Sequence, residues 1–217
     1  MLEDLNIINM ADYKNLYKFI LWGIEIFSAK KYMLIIAGHG FNLINLSDLC
    51  GDTPYTMGLY ELCLAIREIE KNLKVEIDIL NFDICNMNNI EVIYELAKNN
   101  NNPHKYMMTY INNGPLSGMN YGKLFESLDS RDIKDILREM IINSEMDIVA
   151  VKINNKILKN IKSLTNKLGY EELIKLKDNN HSDNLKNKYL NDISKEIEKI
   201  VVEYNFVNEP RQLINKR

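Results

Sequence analysis

At 217 residues the chain is long enough to bury the core of one large or two small domains, and its 46% hydrophobic and 26% charged content is that of an ordinary globular protein. A formal net charge of -3 excludes a general nucleic-acid binder, which would carry a basic surface. No apolar run approaches the roughly eighteen residues of a membrane span, and the start MLEDLNIINMADYKN lacks the basic-then-apolar order of a signal peptide, so the chain as it stands reads as cytoplasmic.

Leu5–Met10 (LNIINM) reads as a short strand. From Asp12, a suitable N-cap, a helix is expected to about Ser28, because Leu16, Tyr17, Phe19, Ile20, Trp22, Ile24 and Phe27 recur at roughly helical spacing. The lone Trp22 is expected as its core anchor. Tyr32–Ala37 is an apolar strand followed by Gly38, His39 and Gly40; a loop over 41–56 then contains Gly51, Asp52 and Pro54. Met57–Lys71 carries apolar residues at 59, 62, 66 and 69, one helix face, with Cys63 among them as a buried thiol. A second apolar strand, Val75–Phe82, leads into Asp83-Ile84-Cys85, and Asn89 caps the helix IEVIYELAK.

A third strand is expected over Tyr106–Ile111, ending at the breaker Asn112-Asn113-Gly114-Pro115. Two helices follow, near Gly118–Leu128 and Arg131–Ile142, the latter capped by Ser130 or Asp132, then a strand over Asp147–Ile153 and a helix over Asn154–Leu168 that stops at Gly169. Strands alternating with helices of this length are the pattern of βαβ units, hence an α/β fold with a mostly parallel central sheet between helical layers. The alternation ends near Gly169, which divides the chain into a domain over 1–169 and a helical extension over 170–217, with apolar positions Leu190, Ile193, Ile197, Ile200 and Val201.

The chemistry gathers where two buried strands end, since open α/β sheets place their sites at the carboxyl edge. One strand delivers His39 and the other Cys85, in that order and 46 positions apart. Alone, a His beside glycine is more often structural, and a Cys is by default a small buried hydrophobe. Together at one sheet edge they supply a thiol nucleophile and the imidazole that takes its proton. The Gly40 and Cys85 N–H groups could bind an oxyanion. Asp83 lies on the same side of its strand end as Cys85 and can line a pocket for a cationic side chain, or merely cap a loop N–H. Cys50, Cys63 and Cys85 form an odd, unpaired set, read as free thiols; no CxxC or HxxxH pair suggests a metal site.

The motifs YMLIIAGHG and FDICNMNNIEVIYELA resemble the clostripain family of cysteine endopeptidases, relatives of caspases, gingipains, legumain and separase. The second is the specific one, fixing Asp83, Cys85, Met87, Glu91, Tyr94 and Leu96 in one register. Weaker similarity extends over about Leu5–Leu168. The resemblance implies a caspase-like fold and a peptidase acting on protein or peptide substrates, with no cofactor expected; calcium dependence varies among the relatives and is not carried over. It implies His39 as general base or imidazolium partner, Cys85 as nucleophile, the Gly40 and Cys85 N–H groups as oxyanion hole, and Asp83 as the floor of a pocket for Arg or Lys. Binding to nucleic acid or membrane is not implied.

The chain also departs from the pattern. Phe41-Asn42 stands where relatives continue with glycine and Trp; Tyr110-Ile111-Asn112 stands where they have Ser-Glu, and Met119 where they have an aromatic. From Phe41 to Ala65 there is no Lys or Arg, so self-processing in that loop is not expected. The strand–helix–strand region that relatives carry ahead of LNIINM is missing, which would leave Met33–Ala37 at a sheet edge. The expectations, in order, are a fragment or truncated gene, a partner chain that completes the sheet, and a local substitute. A caspase-like module acting in binding or regulation, without catalysis, is the alternative to the peptidase. A phosphate-binding flavodoxin-like domain is disfavoured, because no GxGxxG turn is present.

Overall fold

The computed structural model describes residues 8–41, 45–48, 55–98, 105–126 and 132–177, together with Lys195. The chain divides into two compact units, Met1–Ile153 and Asn154–Arg217. The first opens with helix α1 (Tyr13–Ile26), whose N-cap Asp12 accepts the Lys14 N–H. Strand β1 (Met33–Ala37) follows, then three short strands, β2 (His39–Phe41), β3 (Asn45–Asp48) and β4 (Tyr55–Gly58). Helix α2 (Leu59–Leu73) leads to strand β5 (Ile79–Asp83), helix α3 (Ile90–Ala97) and strand β6 (Tyr106–Tyr110). The short helix α4 (Tyr121–Phe125), helix α5 (Ile133–Asn143) and strand β7 (Ile148–Lys152) complete the unit.

Four strands form the main sheet in the order β1-β5-β6-β7; the first two pairings are parallel and β6–β7 is antiparallel. Every residue of β5 and β6 is buried, as befits strands covered on both faces. The expected α/β architecture with a mostly parallel sheet is therefore present, with β7 as the reversed strand.

Several local expectations are corrected. Ile8–Met10 form no strand; Leu5–Asn6 and Ile7, the rest of that expected strand, lie outside the described residues. Val75–Ile77 form no strand: the Ile77 N–H goes to Glu70 Oε1, while the Asp78 N–H donates to Tyr32 O and its carbonyl accepts the Tyr106 N–H, so that the strand proper begins at Ile79. The expected loop over 41–56 instead contributes to an antiparallel three-stranded sheet, β2-β3-β4, in which His39 pairs with Ser47 and Asn45 with Gly58. Helix α2 accordingly starts two residues late, at Leu59, with the Gly58 N–H held by Glu61 Oε2.

Trp22 is no core anchor. It is 37% exposed, and Phe19 and Phe27 lie with their ring centroids 5.9 Å and 6.0 Å from its own. The buried residue of α1 is Ile20, while α1 packs along α2 and Tyr17 Oη accepts a bond from Asn72 Nδ2. In the second unit, helix α6 (Asn155–Lys177) runs straight through Gly169, where it was expected to stop. An isolated glycine costs a helix only about 1 kcal/mol, which its neighbours outweigh. The tail positions from Leu190 to Val201 lie outside the described residues.

Candidate active site

The site grows from the register of β1 against β5. Ala37 pairs with Asp83, and the Gly38 N–H donates to the Asp83 carbonyl at 3.3 Å. His39 and Cys85 each lie two residues beyond that pair, on neighbouring chains leaving the same carboxyl edge. The two side chains are nevertheless not joined by a hydrogen bond. His39 starts β2, where its backbone is drawn into the hairpin, and its side chain is exposed. Gly40, beside it, pairs with Leu46.

Cys85 is half-buried in a turn whose next residue, Asn86, takes the left-handed conformation (φ 62°) that Asn tolerates. The Gly114 N–H donates to Cys85 Sγ at 3.4 Å. Two more contacts strap the breaker segment alongside: the Asn86 N–H donates to Asn112 O (3.4 Å), and Asn88 Nδ2 donates to Ile111 O (3.3 Å). Asn89 then caps α3 by accepting the Val92 N–H at 2.9 Å.

Asp83 is 7% exposed and accepts three hydrogen bonds. Its Oδ1 accepts from Tyr110 Oη at 2.5 Å; its Oδ2 accepts from the Met119 N–H at 3.0 Å and from Tyr121 Oη at 2.6 Å. Gly118 has φ +70°, and a Cβ there would stand 2.8 Å from Asp83 Oδ2, so only glycine lets the loop come this close. Gly114 likewise lies flat on the Tyr110 ring, where a Cβ would come within 2.2 Å of Cε2. Burial first, and then the hydrogen bond to the carboxylate, push both tyrosine hydroxyls well above their ordinary range. They stay protonated and donate at any physiological pH.

The structure thus brings Asp83, Cys85 and the segment Gly114–Tyr121 into one cluster, with His39 at the adjoining strand end. Tyr121 and Gly118 were not legible as partners of Asp83. The available signal was that a buried carboxylate must find donors, but sequence does not say which ones. Among the described residues no group of three or more His, Cys, Asp or Glu is disposed to hold a metal ion, and no helix is long and apolar enough to cross a membrane.

Residues 2–166 match the clostripain family, peptidase C11. The chain belongs to that family. No curated protein sequence matches it. Among solved structures it is similar to a secreted C11 cysteine protease from Bacteroides thetaiotaomicron in complex with an irreversible peptide inhibitor, at 16% identity over 74% of this chain and 49% of that one, with a TM-score of 0.58. A second structure of a secreted C11 protease from that organism, iotapain, gives 16% identity, 75% and 49% coverage and a TM-score of 0.53. An inactive zymogen C11 protease from Parabacteroides distasonis gives 20% identity, 75% and 45% coverage and a TM-score of 0.52. These likenesses establish a caspase-like C11 fold. The chain spans about half the length of these relatives.

Proposed function

We propose that this clostripain-family chain is a cysteine endopeptidase that hydrolyses peptide bonds after Arg or Lys. The observation that carries the reading is the Ala37–Asp83 register, which sets His39 and Cys85 at neighbouring strand ends on one rim of the sheet. In the reaction, His39 accepts the Cys85 thiol proton and the sulfur attacks the carbonyl carbon of the scissile bond. An S–C bond forms, and the oxyanion is met by the Gly40 and Cys85 N–H groups. The C–N bond then breaks as the imidazolium returns its proton to the leaving amine. Water, deprotonated by His39, cleaves the thioester and frees the thiol. Asp83 receives the basic side chain of the residue that becomes the new carboxyl end.

The test compares wild type with Cys85→Ala and His39→Ala on fluorogenic peptides ending in Arg, Lys or Leu. Cleavage of the basic peptides, lost at least about a thousandfold in either variant, is expected. Equal rates in wild type and Cys85→Ala would end the proposal. The second reading, a non-catalytic caspase-like binding module, is favoured by the exposed His39 and by its lack of a bond to Cys85. It would gain if a thiol-reactive probe failed to label Cys85 in the folded protein.

A further inference from the structure

Resting on the reading of Asp83 as the acceptor of a basic side chain, we infer that Tyr110 and Tyr121 act as specificity-determining residues that make this site favour Lys over Arg. A carboxylate offers roughly four acceptor positions, two on each oxygen. Three are taken: Oδ2 holds the Met119 N–H and the Tyr121 hydroxyl, and Oδ1 holds the Tyr110 hydroxyl. One position on Oδ1 is left. A guanidinium binds a carboxylate best as a fork, with two parallel N–H bonds that need one free position on each oxygen. An ammonium is a point donor and needs only one.

The incumbents are not easily displaced. Tyr110 is 2% exposed, so moving its hydroxyl off Asp83 would strand a buried donor. Tyr121 is half-buried, and its ring stacks on Phe125 with centroids 6.0 Å apart and planes 20° from parallel. The Oδ2 side is walled further by the Gly118 backbone, which approaches too closely for even a Cβ to fit. A basic side chain therefore meets Asp83 at one oxygen only.

The experiment has two arms. In the first, kcat/KM is measured for peptide pairs that differ only in Lys or Arg before the scissile bond, with wild type and Tyr121→Phe. Wild type is expected to favour Lys by about tenfold, roughly one hydrogen bond to a charged group. Tyr121→Phe keeps the stacked ring but frees one Oδ2 position, so the Arg-to-Lys ratio should rise about tenfold, mainly through KM. A variant that merely loosened the fold would lower both substrates alike and leave the ratio unmoved. In the second arm, binding of the same fluorescent peptides to Cys85→Ala is measured without turnover. Lys-selective binding there supports the inference even if wild type cleaves nothing, an outcome that would sink the peptidase reading alone. Cleavage or binding that favours Arg or shows no preference, binding of neither peptide, or an unchanged ratio in Tyr121→Phe, overturns it.

Discussion

Among single residues, the three described side chains with strongly raised pKa values divide by role. Tyr110 and Tyr121 donate to Asp83, whereas Cys63 lies in the buried face of α2, 2% exposed, and takes no part in the site. Burial pushes the Cys63 thiol up to about 12 from 9.0, with Glu95 adding to the rise and Arg67, Lys105 and Lys98 opposing it. The folded state therefore keeps this proton where the unfolded chain has lost it. The associated stability is fully present below pH 9 and is lost as pH climbs from 9 toward 12, at about 1.4 kcal/mol per pH unit. Tyr110 and Tyr121, raised above 10.0, add to the loss from pH 10 upward. Urea melts at pH 8, 9 and 10 should show the Cys63→Ala variant starting less stable, because of the cavity, yet losing less stability over this range than wild type. Parallel losses in the two proteins would refute the assignment. Sequence revealed His39 and Cys85 because each ends an apolar run, and it revealed Cys63 as buried from helical spacing. It could not reveal the tyrosines on Asp83, because those bonds join residues 27 and 38 positions apart, from the end of β6 and the start of α4, and no local periodicity links them.

Elements were legible where their cause is local. Asp12, Asn89 and Asp132 cap α1, α3 and α5 because a short side-chain oxygen satisfies an otherwise orphan N–H within one turn. β6 and β7 follow from apolar runs. β2, β3 and β4 were not legible: HGF, NLSD and YTMG are too short to show alternation, and their ladder is fixed by pairing across the segment. One junction between elements rests on an ion pair. Lys105 is 2% exposed, and its Nζ lies 2.6 Å from Glu70 Oε1, which also accepts the Ile77 N–H. Glu70 on α2 thereby ties the approaches to both central strands, β5 and β6. Removing one partner of such a pair leaves a buried charge, so Glu70→Gln should cost about 3–5 kcal/mol in denaturant melts. Removing both charges, as in Glu70→Gln with Lys105→Met, keeps an acceptor for the Ile77 N–H and should recover most of that loss. A double variant no more stable than Glu70→Gln would show that the pair is not what holds this junction.

For the molecule as a whole, the order β1-β5-β6-β7 leaves β1 with one strand neighbour among the described residues, where β5 and β6 have two. Burial grades the same way: β5 and β6 are buried throughout, whereas in β1 only Leu34 is buried and Ala37 is exposed. The edge position of Met33–Ala37 was expected from sequence; the reversal of β7 was not, since strand direction depends on how the chain returns through α4 and α5. An apolar edge strand is a template for another strand, so whether Met33–Ala37 stands open or covered shows in the protection of its amides. Amide hydrogen exchange tests this directly, because amides on an open edge exchange by local opening while those between strands need a larger one. At low protein concentration, peptides spanning 33–37 should exchange at least about tenfold faster than peptides spanning 79–83 and 106–110. If a second copy pairs with β1, protection at 33–37 should rise with concentration while that of β5 and β6 stays constant. Protection of β1 equal to that of β5 at every concentration would mean that the edge is already covered, and the open-edge expectation would fall.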